Sequence, residues 1–231
     1  MAGFKFKHFE ISQDRCAMKV GTDGVLLGAW APGGKRILDI GSGTGLISLM
    51  MAQRFPDAQV LGIDLDEEAC EEASENVAAS PFANRVAVRC CRLQDYESAE
   101  PFDAIVSNPP FFLNSLKNPD SKRAMARHSD SLPFRDLFVG VKRLLSDDGI
   151  FSAIVPSEVL DNFTSEACML GFYLIGKCGV KTVERKQPKR YLLSFARHRK
   201  EGMVDEIKTM TDSLGKRSSW YAKITEDFYL D

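Results

Sequence analysis

The stretch Phe102-Asp103-Ala104-Ile105-Val106-Ser107-Asn108-Pro109-Pro110-Phe111-Phe112 holds the residues best suited to chemistry. Asn108 offers a side-chain carbonyl and Pro109 a main-chain carbonyl, two adjacent acceptors, and a ring follows at Phe111. Proline has a fixed φ and no N–H, and it drives the residue before it into an extended conformation, so the loop is stiff. Two fixed acceptors beside a stacking face suit a planar group that carries an NH2. The plain alternative is a turn after a strand, with Phe111 and Phe112 as core.

The second chemical feature is the turn Asp39-Ile40-Gly41-Ser42-Gly43-Thr44-Gly45. Glycines after a first strand let a ligand approach the backbone and expose N–H groups at a helix N-terminus. Asp64, at the end of the next strand, can take ribose hydroxyls, and Asp39 sits where a cationic amine could be bound. This pair also fits a dinucleotide. Dinucleotide turns read G-x-G-x-x-G, however, and here the third glycine comes one residue early. A ligand with an amino-acid end and an adenosine end suits the spacing better than a pyrophosphate. Each carboxylate keeps a structural alternative: Asp39 as a turn holder, Asp64 as a helix-capping accessory, and Asp95 as a loop cap.

The elements that must position these residues alternate in type. Thr22 or Asp23 caps a short helix over residues 25–30. Strands are expected at 36–40, 59–64, 85–92, 102–106, 149–155, 172–180 and 190–196. Helices are expected from the glycine turn to about Arg54, from the Asp66 cap to about Ala79, and over 133–145 and 157–170. Such alternation gives an α/β fold, a mostly parallel seven-stranded sheet with helices on both faces. The last two strands have no helix between them and read as a C-terminal antiparallel hairpin. One domain is expected over 1–231, with 1–35 a segment set before a Rossmann-like core of 36–231.

Composition bounds the rest. The 231 residues are 44% hydrophobic and 27% charged, which suits a soluble globular protein. No apolar run approaches the roughly 18 residues that cross a bilayer, and the first ten residues alternate Phe with Lys and His, unlike a signal-peptide core. A cytoplasmic protein without membrane contact is expected. Its six cysteines include no C-x-x-C pair and no His partner at metal spacing, so reduced thiols and no metal are expected. The formal net charge of -2 hides an asymmetry: between Lys181 and Lys200, eight Lys or Arg face Glu184 alone. A weaker basic stretch, Lys117, Lys122, Arg123, Arg127 and His128, follows the Asn-Pro-Pro loop. A charge run is usually a solvated face; two of them around a candidate site raise a polyanion such as RNA.

Taken together, the glycine turn, Asp64, Asp95 and Asn108-Pro109-Pro110-Phe111 resemble the S-adenosylmethionine-dependent amino-methyltransferases. More narrowly, residues 18–30 (MKVGTDGVLLGAW), Ala126-Arg127-His128 and Asp227-Phe228-Tyr229-Leu230 resemble the bacterial family that methylates the N6 amine of adenosine 37 in tRNA1(Val). The resemblance spans nearly the full chain and implies a class I methyltransferase fold in a monomer. Gly41, Ser42, Gly43 and Gly45 would pass under the methionine part of the cofactor, with Asp39 beside them. Asp64 would bind the ribose and Asp95 the adenine amine, while Thr22 and Asp23 would close the pocket. Asn108, at the edge of the cofactor, and Pro109 would grip the target amine, Pro110 would hold the loop, and Phe111 would stack on the base. Lys122, Arg123, Arg127, His128, Lys189 and Arg190 would contact tRNA. Related enzymes act on guanine N2 of RNA or on a protein glutamine amide, and both remain open at this point.

Overall fold

A computed structural model describes residues 3–16, 19–110 and 132–230. Its centre is an eight-stranded sheet. In chain order the strands are β3 (Arg36–Ile40), β4 (Gln59–Asp64), β5 (Val86–Cys90), β6 (Phe102–Ser107), β7 (Leu145–Pro156), β8 (Tyr173–Val183), β9 (Arg190–Ala196) and β10 (Val204–Thr211). Across the sheet the order is β10-β8-β9-β7-β6-β3-β4-β5. Only β9 runs against its neighbours β7 and β8; every other pairing in this sheet is parallel.

Seven strands were expected and eight are present. The additional β10 pairs in parallel with β8 at the sheet edge. Its sequence, VDEIKTMT, lacks a sustained apolar alternation because neither of its faces is deeply buried. An edge strand supported from one side does not need that signal.

Two cores flank the sheet. On one face lie helices α1 (Thr22–Trp30), α2 (Leu46–Arg54) and α3 (Glu67–Ala78), with Leu26, Leu27, Leu49 and Met50 fully buried. On the other lie α4 (Phe134–Leu144) and α5 (Leu160–Met169), packed through Phe138, Phe151, Phe163 and Phe195. The helix expected over 157–170 starts as a single 3-10 turn, Ser157–Val159, before α5. A last helix, α6 (Ser219–Thr225), returns to the first face, where Tyr221 and Phe228 join the core.

The N-terminal segment is built to lie on this face. A two-rung hairpin, β1 (Phe4–Lys5) with β2 (Glu10–Ile11), leads toward α1. Gly28 lets α1 sit directly on α2, since a Cβ there would come within 2.9 Å of Met50. Arg54 then ties the end of α1 down, its Nη1 donating to the carbonyls of Gly28 at 2.9 Å and Ala31 at 2.7 Å.

Candidate active site

The sequence runs outward from β3 through β4 to β5 and then returns to β6 on the other side of β3. The crevice at that reversal, at the carboxyl ends of the strands, is where open α/β sheets bind ligands. Ser107 at the end of β6 closes the seam beneath it, its Oγ donating to the Ile40 carbonyl at 2.8 Å. Above the seam lies a cavity of about 660 Å³, within the usual range for a small-molecule site.

The cavity gathers residues that are distant in sequence. Gly41, Ser42 and Gly43 form its floor, Asp64 one side, Thr22 and Asp23 a wall, and Asn108, Pro109 and Pro110 the opposite rim. The peptide bonds of the proline pair are trans. Gly41, Gly43 and Gly45 have φ of 72°, 53° and 79°, a left-handed region that disfavours side chains. A Cβ at Gly41 would meet no protein atom within 4 Å, so the backbone there faces open space on the cavity lining. Asp64 braces the turn, its carboxylate accepting from Gly43 N at 2.8 Å and Asp66 N at 3.0 Å.

Several expected residues sit elsewhere. Asp39 is fully buried under the turn and does not line the cavity; Ser48 Oγ donates to its Oδ2 at 2.8 Å. Its Oδ1, like the Ser42 hydroxyl, is buried without a hydrogen-bond partner among the described residues. Burial pushes the Asp39 carboxyl up to about 7, against the Ser48 hydrogen bond and with the charge of Asp64. Asp39 therefore ties β3 to α2 through Ser48 and does not reach the cavity. Gly45 serves as the N-cap of α2, packed toward Ala73. Asp95 is exposed and does not line the cavity. The turn bonds Asp95 N and Tyr96 N to Arg92 O, each 3.1 Å, send Leu93 and Tyr96 into the core and Asp95 outward. Gln94 lines the cavity in its place. Phe111, Lys122, Arg123, Arg127 and His128 lie outside the described residues.

The basic run also divides. Lys181, Arg185, Lys186, Lys189 and Arg190 sit at the β8–β9 turn, on the cavity side. Arg197, Arg199 and Lys200 follow β9 at the opposite end of the strands, roughly 20 Å away at about 3.3 Å per strand residue. There Arg197 pairs with Asp147 at 2.9 Å. Arg190, expected on RNA, lines the cavity itself.

The N-terminal wall has anchors that sequence reading missed. Glu72, buried on α3, accepts backbone N–H bonds from Asp14 at 2.6 Å, Arg15 at 3.1 Å and Cys16 at 2.9 Å. Asn76 binds Ser12 at both its N–H and its carbonyl and also donates to the Thr44 carbonyl of the glycine turn. Glu72 and Asn76 share one face of α3 at i and i+4, and both are buried there.

A methyltransferase domain family matches residues 37–133. Two solved structures share the fold. One, described as a predicted O-methyltransferase from Agrobacterium tumefaciens, has a TM-score of 0.67 at 17% identity, covering 89% of this chain and 96% of that one. The other, a glycopeptide N-methyltransferase complexed with S-adenosyl-L-methionine, has a TM-score of 0.56 at 13% identity, covering 76% and 95%. Closer in sequence is the tRNA1(Val) (adenine(37)-N6)-methyltransferase of Bacteroides thetaiotaomicron, 44% identical over 230 residues, 98% of this chain and 97% of the relative. With that identity over that length, and with the glycine turn, Asp64 and Asn108-Pro109-Pro110 on one cavity, the chain belongs to the tRNA1(Val) (adenine(37)-N6)-methyltransferase family.

Proposed function

We propose that the chain methylates the N6 amine of adenosine 37 in the anticodon loop of tRNA1(Val), using S-adenosylmethionine, and works as a cytoplasmic monomer with one catalytic domain. The observation that carries this is the joint placement of the glycine turn, Asp64 and the Asn108-Pro109-Pro110 loop around one cavity.

The residues present fit the cofactor. Gly41 leaves open space where a side chain would intrude and Gly43 packs beside Cys16 with its backbone on the cavity, and Asp64 offers a carboxylate to ribose hydroxyls while its own turn is held. Gln94, Cys91 and Leu93 border the cavity toward the adenine end. When bound, S-adenosylmethionine supplies an electrophilic methyl group on a sulfonium.

The chain's own residues prepare the acceptor. An aromatic amine is a weak nucleophile because its lone pair is delocalised into the ring. The Asn108 side-chain carbonyl and the Pro109 carbonyl, both at the rim, accept its two hydrogens and favour a pyramidal nitrogen whose lone pair faces the cavity. Catalysis is then mostly orientation and fixed electrostatics. The methylated nitrogen is acidic enough to lose its proton to solvent, so no strong base is required. Phe111 would stack on the flipped base.

The exposed cations Arg185, Lys186 and Lys189, at the cavity end of the sheet, make a phosphate-binding rim; Lys122, Arg123, Arg127 and His128, outside the described residues, would contact the same tRNA. Transfer of labelled methyl to total RNA and, separately, to total protein, followed by nucleoside analysis, tests the reading. N6-methyladenosine is the expected product. N2-methylguanosine or labelled protein glutamine would replace the substrate and leave the cofactor reading intact.

A further inference from the structure

Arg190 opens β9 at the cavity end of the sheet, in register with Pro156 of β7. Its Nη1 lies 2.7 Å from Asp23 Oδ1, in the first turn of α1. The contact has ion-pair distance without hydrogen-bond alignment, so charge holds it. Burial pushes the Asp23 carboxyl above its ordinary range, and the adjacent Arg190 guanidinium offsets part of that rise. Both side chains are shielded, at 22% and 38% exposure.

Among the described residues, the cavity wall from Lys19 to Gly24 has few other polar ties. The segment before it is fastened to α3 by Glu72 and Asn76, and the far end of α1 is fastened by Arg54. In between, Val20 N donates to Gln13 Oε1 at 2.7 Å within the same segment. Arg190 reaches the wall from the sheet. Strand order also fixes which part of a ligand it meets. Asp64 ends β4, and β9 lies four strands away, roughly 19 Å at about 4.8 Å per strand. A ligand whose ribose sits at Asp64 and which crosses the cavity that both residues line would bring its far end to the side of Arg190.

We propose that Arg190 is a positioning residue for the cofactor: through Asp23 it holds the 19–24 wall against the amino-acid end of the bound molecule. The proposal rests on the cavity being the S-adenosylmethionine site. Its signature is selectivity between two ligands with the same nucleoside. S-adenosylhomocysteine carries the amino-acid end and 5′-methylthioadenosine lacks it.

Titration calorimetry on the full chain without RNA tests this with Arg190→Gln, Asp23→Asn and the charge-conserving Arg190→Lys, each checked by its melting curve. Removing a shielded ion pair should weaken S-adenosylhomocysteine about tenfold in the first two variants. Arg190→Lys should recover most of that affinity, and 5′-methylthioadenosine should bind all forms alike. Equal weakening of both ligands would mean general loosening and overturn the proposal. Unchanged S-adenosylhomocysteine affinity in both variants would overturn it too, and a separate tRNA titration showing weaker binding would then make Arg190 a phosphate contact. Wild-type protein that bound neither nucleoside would instead overturn the cofactor reading beneath it.

Discussion

Asn108→Ala is expected to leave S-adenosylmethionine affinity near wild type and to lower kcat by about 10²–10³, the usual effect of removing one positioned group from an electrostatic site. Turnover within a few-fold of wild type would sink the paired-acceptor mechanism. For Asp64 the useful variant is Asn, because the carboxylate also braces Gly43 and Asp66. Asp64→Asn should weaken the cofactor by about 2 kcal/mol; calorimetry showing no change would remove Asp64 from the ribose site. These two positions were legible in the sequence because a strand end and its turn place them with little freedom. Asp95 and Asp39 were not. A turn of one residue's phase sends Asp95 outward while Gln94 faces the cavity, and Asp39 alternates to the inner side of a strand buried on both faces. Spacing along the chain set their neighbourhood and could not set the direction of the side chain.

At the scale of elements, the backbone of residues 14–16 is gathered by one carboxylate, Glu72. Burial alone would raise Glu72, but the amides of Arg15, Cys16 and Asp14 outweigh it and hold the carboxyl below its ordinary 4.5. Its stabilisation is therefore complete above about pH 4.5 and fades as pH falls through the lower folded value. Asp39 has the opposite sign. Raised from 3.8 to about 7, it lowers stability as pH climbs between those values. Glu72→Gln should cost about 2–3 kcal/mol at neutral pH and flatten the acid limb of a melting-temperature profile. Asp39→Asn should remove the decline between pH 4 and 7. Profiles parallel to wild type would refute these assignments. The βα alternation was readable from periodicity, as were both members of the β8–β9 hairpin. Glu72 was hidden because three backbone donors from a segment 56 to 58 residues away leave no pattern on its own helix.

For the whole molecule, charge placement makes a test that the sequence total could not. Lys186→Ala with Lys189→Ala should weaken tRNA binding and flatten the log affinity against log salt slope by roughly 0.7–0.9 for each phosphate no longer neutralised. Arg199→Ala with Lys200→Ala, at the opposite end of the strands, should leave the slope alone. Equal effects from both pairs would mean a diffuse field with no rim. The full run looked like a single patch because seven strand residues separate its halves by length alone, and length becomes distance only once the strand is placed.

The last turn of the chain is stitched to the first. Lys7 N donates to the Phe228 carbonyl at 2.8 Å, Gln53 reaches Asp227, and Phe6 stacks on Tyr229. During synthesis the hairpin that leads into the cavity wall thus waits for residues made some two hundred positions later. A nascent chain has its glycine turn and β-strands early, yet lacks the seat that holds Phe4, Phe6 and Phe9 in place. The seat of this hairpin is complete only once the last residues are in place, so a chain cut short before Phe228 is expected to lose the docking of Phe6 and Lys7 that leads into the cavity wall.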